Sequence, residues 1–297
     1  MVTYTLATIA TLSLMHGGNR IMWRLLRVMP TLRAVTIAVV LALLTLPSHA
    51  RGDVYPDAFG AARNAPRPLV PTGLRISEDG DLLDQATQAF EQRQFDKAVQ
   101  LFKELIEKQP AHPSIAKIRE KLGECYRTLA AEAERVYSSE TMPEKKQQYR
   151  ADWQKNLELA RGTYLKLGQD LDAREEKKAL VPAEENLRRK AQFVVADCDY
   201  DLPDRFDAAF KRYASLFDKY REQSDGLWAC QRLHRCLVYA TNANLSNVED
   251  VRKVAMAAVR ECLQNMKALQ LAGAFRNESE KEQWQVWLES AQRGAAR

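Results

Sequence analysis

The chain has 297 residues, 46 % hydrophobic and 28 % charged, with 44 basic and 39 acidic side chains and a formal net charge of +5. Arg20, Arg24, Arg27 and Arg33 have no acidic counterpart within positions 1–50, so 40 basic and 39 acidic residues remain from position 51 onward. A nucleic-acid partner would need a basic footprint on the folded part, and that near-neutral balance does not supply one.

The first 50 residues read as a leader. Met22-Trp-Arg-Leu-Leu-Arg is a cationic start, Ala34 to Leu46 is a 13-residue apolar run, and small residues lead up to Ala50. This is the order of a secretory signal peptide, with cleavage expected after Ala50 and Met22 the expected start. The run falls short of the roughly 20 apolar residues that cross a bilayer. The processed chain is therefore expected to be exported to the periplasm or cell envelope and not to span a membrane. An uncleaved signal anchor is the alternative, and the translation of residues 1–21 stays open. No Cys lies near the cut, so lipid attachment is not expected. Residues 51–80, with Pro56, Pro66, Pro68 and Pro71, have the composition of a flexible linker. The helical domain is expected over 81–292, followed by a tail at 293–297.

From Leu82 to Tyr126 apolar residues recur at helical spacing. Ala98, Phe102 and Leu105 stand at i, i+4, i+7 and form one stripe, Pro110 and Pro113 interrupt the chain, and Leu122-Gly123-x-x-Tyr126 opens a second pattern. These motifs resemble the tetratricopeptide repeat (TPR) family, whose hairpins carry L-G-x-x-Y on a first helix and A-x-x-x-F-x-x-A/L on a second, in a repeat of about 34 residues.

The second-helix pattern returns at Ala160/Tyr164/Leu167, at Ala209/Tyr213/Leu216 and more weakly at Ala255/Val259/Cys262. The steps of 62, 49 and 46 residues exceed the family period, so helices or loops must be extended. A small residue is expected where the two helices of a hairpin cross, with the larger pair filling the groove between neighbouring hairpins. Leu82/Ala86/Phe90, Leu122/Gly123/Tyr126, Phe193/Ala196/Tyr200 and Leu227/Cys230/Leu233/Leu237 supply the first helices. The polar excess of the second hairpin reads as two long solvated helix ends turned at Ser138 to Pro143. A last helix is expected from Glu278 to Ala291, with Trp284, Trp287 and Leu288 covering the terminal apolar face. The expected fold is all-α, an α-solenoid of about four irregular TPR-like hairpins plus a C-terminal capping helix. Its right-handed superhelix is implied by the resemblance alone.

Residues able to carry chemistry are few. His112 lies in a turn and His234 on a helix, neither with H-E-x-x-H spacing. The five Cys include no C-x-x-C. Cys230 and Cys236 point to different faces of one helix, Cys125 and Cys262 read as small buried hydrophobes, and pairing of Cys198 with a Cys of a neighbouring helix stays open. Asp197, Asp199, Asp201 and Asp204 suggest a calcium loop, but its Gly and final Glu positions hold Leu202 and Ala208. The acids read instead as helix ends, with Asp204 the N-cap of the next helix. No metal, cofactor or catalytic residue is expected.

On the helix from about Ile115 to Leu129, Lys117, Glu120, Glu124 and Arg127 share one arc, opposite Ile115, Ile118, Leu122, Cys125, Tyr126 and Leu129. These four are the candidate partner-binding groove, because the resemblance turns this face to a concave surface. The bland alternative is a solvated face of helix-spaced charge pairs. Glu120 and Glu124 argue against the family's clamp for acidic peptide C-termini, so the expected partner is a protein offering a basic or internal segment. The reading is a non-catalytic protein-binding module or scaffold. The alternatives are an accessory structural subunit of an envelope or export complex without a peptide groove and, from a different class, a helical-scaffold hydrolase or lyase.

Overall fold

The computed structural model describes residues 78–294. The expected leader, the cut after Ala50 and nearly all of the linker lie outside the described residues, as do the last three residues of the tail. Ten helices follow in order among the described residues: α1 (Glu78–Glu91), α2 (Phe95–Lys108), α3 (Ile115–Ser139), α4 (Pro143–Glu175), α5 (Pro182–Asp201), α6 (Phe206–Tyr220), α7 (Ser224–Asn242), α8 (Val248–Gln264), α9 (Met266–Leu271) and α10 (Glu278–Gly294). There is no strand among these residues. Through α8, each helix packs chiefly against its neighbours in sequence, and α10 packs on α8.

Proline and apolar spacing set the boundaries. Pro143 and Pro182 open α4 and α5, where a missing N–H leaves no helical bond unmade. The turn between α3 and α4 falls at the expected place, and the Glu140 carboxylate accepts bonds from the Thr141 and Met142 amides at 2.9 Å each. The extended ends of these two helices are joined by stacking of Tyr137 on Trp153 at 6.4 Å. The short helix α9 has no counterpart in the sequence reading.

The recurring small residues Ala98, Ala160, Ala209 and Ala255 are all fully buried. Their aromatic companions meet the helix before them and also lie near the hairpin that follows. A β-carbon on Gly123 of α3 would stand 2.4 Å from the Tyr164 ring of α4, and the Tyr213 hydroxyl of α6 donates to Asp197 of α5 at 2.6 Å. The Tyr164 ring thus packs on the preceding helix of its own hairpin, and the groups acting on the two hydroxyls include Cys198 of the next hairpin for Tyr164 and Arg232 and Cys236 for Tyr213. Gly226 serves a second close approach, since its β-carbon would meet the Tyr220 carbonyl oxygen at 2.4 Å at the corner between α6 and α7.

Asp204 is not the N-cap of α6. It has φ 64°, and Arg205 occupies the cap position without a side-chain cap bond. The left-handed turn is one that Asp tolerates better than most residues. At the C-terminal end Leu288 is buried, and Trp284 meets Trp228 edge-on at 5.1 Å while Trp287 meets His234 at 5.6 Å.

Candidate functional site

The charged arc of α3 does not stand free. Glu120 is only 5 % exposed, and its carboxylate accepts from Lys117 at 2.6 Å and from Lys190 of α5 at 2.7 Å. Lys190 also donates to Glu124 at 2.7 Å, and Glu124 pairs with Lys121 at 2.8 Å. Burial works against the Lys190 ammonium, but the charges of Glu124 and Glu120 outweigh it and raise its pKa. Burial likewise disfavours the Glu124 carboxylate, and Lys190 and Lys121 outweigh it and lower its pKa. Helix-spaced pairing within α3 is therefore only half of the arrangement. The other half is a cation supplied by α5, distant in sequence and invisible to periodicity.

The pattern continues across α5. Lys190, Asp197 and Asp201 stand at i, i+7 and i+11 and form one stripe. On its far side, Asp197 meets Arg232 of α7 at 3.1 Å and Asp201 meets Arg235 at 3.8 Å, while Arg189 reaches Asp225 at 2.5 Å. Arg127 and Glu134 of α3 act electrostatically on Asp201 from the near side. The stripes of α3, α5 and α7 thus run side by side, joined by charge pairs. Of the four residues singled out from sequence, Lys117 is the most open, with 66 % of its side chain exposed. Arg127 is partly buried and faces α5 with the others.

Asp199, on the other side of α5, is fully buried between Arg161 of α4 at 2.5 Å and Arg212 of α6 at 2.8 Å. A carboxylate removed from water is stable only when so paired. Asp197, Asp199 and Asp201 therefore hold α5 to its neighbours. The three acids can be found in the sequence by their spacing, but their arginine partners come from α4, α6 and α7 and carry no local signal.

The Asp201 carboxyl is pushed up to about 6 by burial first and by the Asp197 charge second, against Arg235 and Arg127. Its side chain keeps 42 % of its surface open, so burial here is crowding by protein along a wall that water still reaches. The thiols of Cys125, Cys198 and Cys236 are pushed up to about 12, chiefly by burial, which suits packing and not nucleophilic attack. His112 accepts a bond from the Ser114 amide at 3.0 Å at the start of α3, and burial lowers the pKa of His234. A cavity of about 310 Å³, lined by Arg93, Phe95, Leu129 and Glu132 among others, opens on the side of α3 away from the charged arc. Among the described residues no cluster of His, Cys, Asp and Glu is arranged to hold a metal ion, and no helix is long and apolar enough to cross a membrane. No protein-family model matches the chain, and no curated protein matches it.

Proposed function

We propose that the chain is a non-catalytic interaction scaffold of the cell envelope, in which TPR-like hairpins present their first helices α3, α5 and α7 to a partner protein. The observation that carries this reading is the charge-paired array of those three helices. Lys190 and the Asp197–Arg232 pair fix α3, α5 and α7 against one another. Groups left open on the array, such as Lys117 and the half-exposed Val238 and Tyr239, are then displayed at fixed spacing. A rigid row of helices binds an extended segment or another helix with little ordering of its own side. Export rests on the signal-peptide order of residues 22–50.

The engagement of Glu120 and Glu124 by lysines changes what the surface offers. Their charge is largely neutralised at home, so a basic partner segment would have to compete with Lys190. This favours the second reading, an accessory subunit that docks through its ends. The open Leu271 and Val286 near the C-terminal end, 82 % and 64 % exposed, fit that role. Photo-cross-linkers placed singly at positions 117, 239, 211 and 286 in the chain, expressed in its own cells, separate the two. Adducts with one partner from 117 and 239, and none from 211 on α6, support display on the first helices. Adducts confined to 286 replace that reading with end-on docking, and adducts from 211 alone exclude both.

A further inference from the structure

The helices α7 and α8 are joined by a short connection, Ala243 to Asn247, in which the Leu245 amide donates to the Ala240 carbonyl at 3.0 Å. In an antiparallel hairpin with its turn centred near residue 245, residues about equally far before and after that point lie level. Cys230 stands 15 residues before that point and Cys262 17 after it, a difference of two residues and less than one helical turn of 3.6 residues. They are 0 % and 2 % exposed. Ala229, Ala255 and Ala258 are buried as well, at 0 %, 0 % and 2 % exposure, so small side chains let the two backbones approach. The Cys262 thiol beside it, and then burial, push the Cys230 thiol well above its ordinary range. Cys198, whose pairing the sequence leaves open, is buried beside Arg127 and the Asp row. Cys236, six residues along α7, turns to Arg232, Arg235 and Asp197.

We propose that Cys230 and Cys262 form a disulfide when the chain folds in an oxidising compartment, closing the α7–α8 hairpin covalently. The oxidant is a disulfide-bearing molecule of the glutathione or thiol–disulfide oxidoreductase class. One Cys thiolate attacks a sulfur of that disulfide and releases the other half as a thiol. The second Cys thiolate then attacks the mixed disulfide and releases the remaining half. Two protons and two electrons leave the protein, and one oxidant disulfide is reduced to two thiols. Because both sulfurs are buried in the native hairpin, the reaction belongs to the folding chain, before α7 and α8 close over them. The occurrence of the bond in cells rests on the export reading. Its chemistry does not.

The test refolds the full chain from urea in a buffer of reduced and oxidised glutathione and counts thiols in denaturant. Five thiols before oxidation are expected to fall to three. Trypsin should then release the segment 222–232, carrying Cys230, joined to the segment 261–267, carrying Cys262, and dithiothreitol should separate them. Replacement of Cys262 by Ser should leave four thiols before and after oxidation. Five thiols in the refolded wild type, or a cross-link to Cys125, Cys198 or Cys236 in place of the expected pair, overturns the proposal. A 230–262 link formed in the redox buffer but missing from protein isolated from its own cells supports the pairing and overturns the export reading.

Discussion

The ring of Tyr164 occupies the space that a β-carbon on residue 123 would need. Cε2 lies 2.4 Å from that position, and two further ring atoms lie within 2.9 Å. The L-G-x-x-Y motif on α3 and the aromatic of the second-helix motif on α4 are therefore two halves of one contact. The glycine is short so that the tyrosine can be large, and the Tyr164 hydroxyl still reaches the Glu120 carbonyl at 3.4 Å.

Replacing Gly123 with Ala should destabilise the protein even though Ala is the better helix former. Helix propensity favours Ala by about 1 kcal/mol, and forcing volume into a packed core costs about 1–3 kcal/mol. The second term wins because Tyr164 is 1 % exposed and its ring has nowhere to swing. Gly162 of α4, exposed and with nothing within 4 Å of its β-carbon position, is the control. Gly162→Ala should raise the urea midpoint by the propensity term alone. In a Tyr164→Leu background the penalty of Gly123→Ala should shrink or vanish. A pair of Gly→Ala variants that both stabilise would remove the contact from the account.

Ala209 tests the small position of the second-helix pattern. It is 0 % exposed, whereas Lys211 two residues on is exposed. Ala209→Leu should cost about 1–3 kcal/mol through overpacking, and Lys211→Leu should fall within about 0.5 kcal/mol of wild type. Equal melting temperatures for the two variants would mean that the spacing has no packing content.

The α3 face makes plain what a sequence read residue by residue conveys. Spacing alone places Lys117, Glu120, Glu124 and Arg127 on one arc and Ile118, Leu122 and Cys125 on the other, and the second set is buried as its apolar character demands. Helix identity, the break at Ser138 to Pro143 and the buried alanines are legible for the same reason, since each depends on neighbours within a turn or two. The burial of Glu120 is not legible, because its cause is Lys190, seventy positions away. The same holds for Asp199, whose two arginines arrive from α4 and α6. Composition marks such residues as solvated, and only tertiary packing converts them into buried pairs. Asp204 fails for a local reason: an Asp before a helix suits both an N-cap and a left-handed turn, and here the turn prevails.

Lys190→Met should destabilise the chain by about 2 kcal/mol, the range for stranding a hydrogen-bonded buried charge. It removes two bonds at once and leaves Glu120, 7 % exposed at its side chain, with only the solvent-facing Lys117. The variant should also respond less to acid. The Glu124 pKa is lowered in the folded state, so its contribution is present above the unfolded pKa and is lost as pH falls through the folded value. Without Lys190 much of that depression disappears. Urea midpoints measured from pH 7 down to about pH 3, spanning ordinary carboxylate titration, should therefore fall less steeply for Lys190→Met than for wild type. A slope as steep as that of wild type would place the acid-sensitive group elsewhere.

Asp201 gives the opposite pH dependence. Its folded pKa is raised to about 6 from the ordinary 3.8, so the folded state holds the proton more tightly than the unfolded chain does. The contribution of this group is fully present below the unfolded pKa and is lost as pH rises through about 6. Burial and the neighbouring Asp197 oppose the carboxylate, with Glu134 of α3 adding a weaker repulsion, and Arg235 of α7 and Arg127 of α3 favour it. Solvent access to 42 % of the side chain weakens the effect without changing its sign. Asp201→Asn keeps the shape and removes the titration. The midpoint difference between variant and wild type should move in favour of the variant as pH rises from about 4 to about 7, a window set by the ordinary and shifted carboxyl values. It should then stay level above that range. Parallel curves for the two proteins would mean that Asp201 ionises in the folded state as freely as in the unfolded chain, and that the wall between α3, α5 and α7 is open enough for water to solvate it fully.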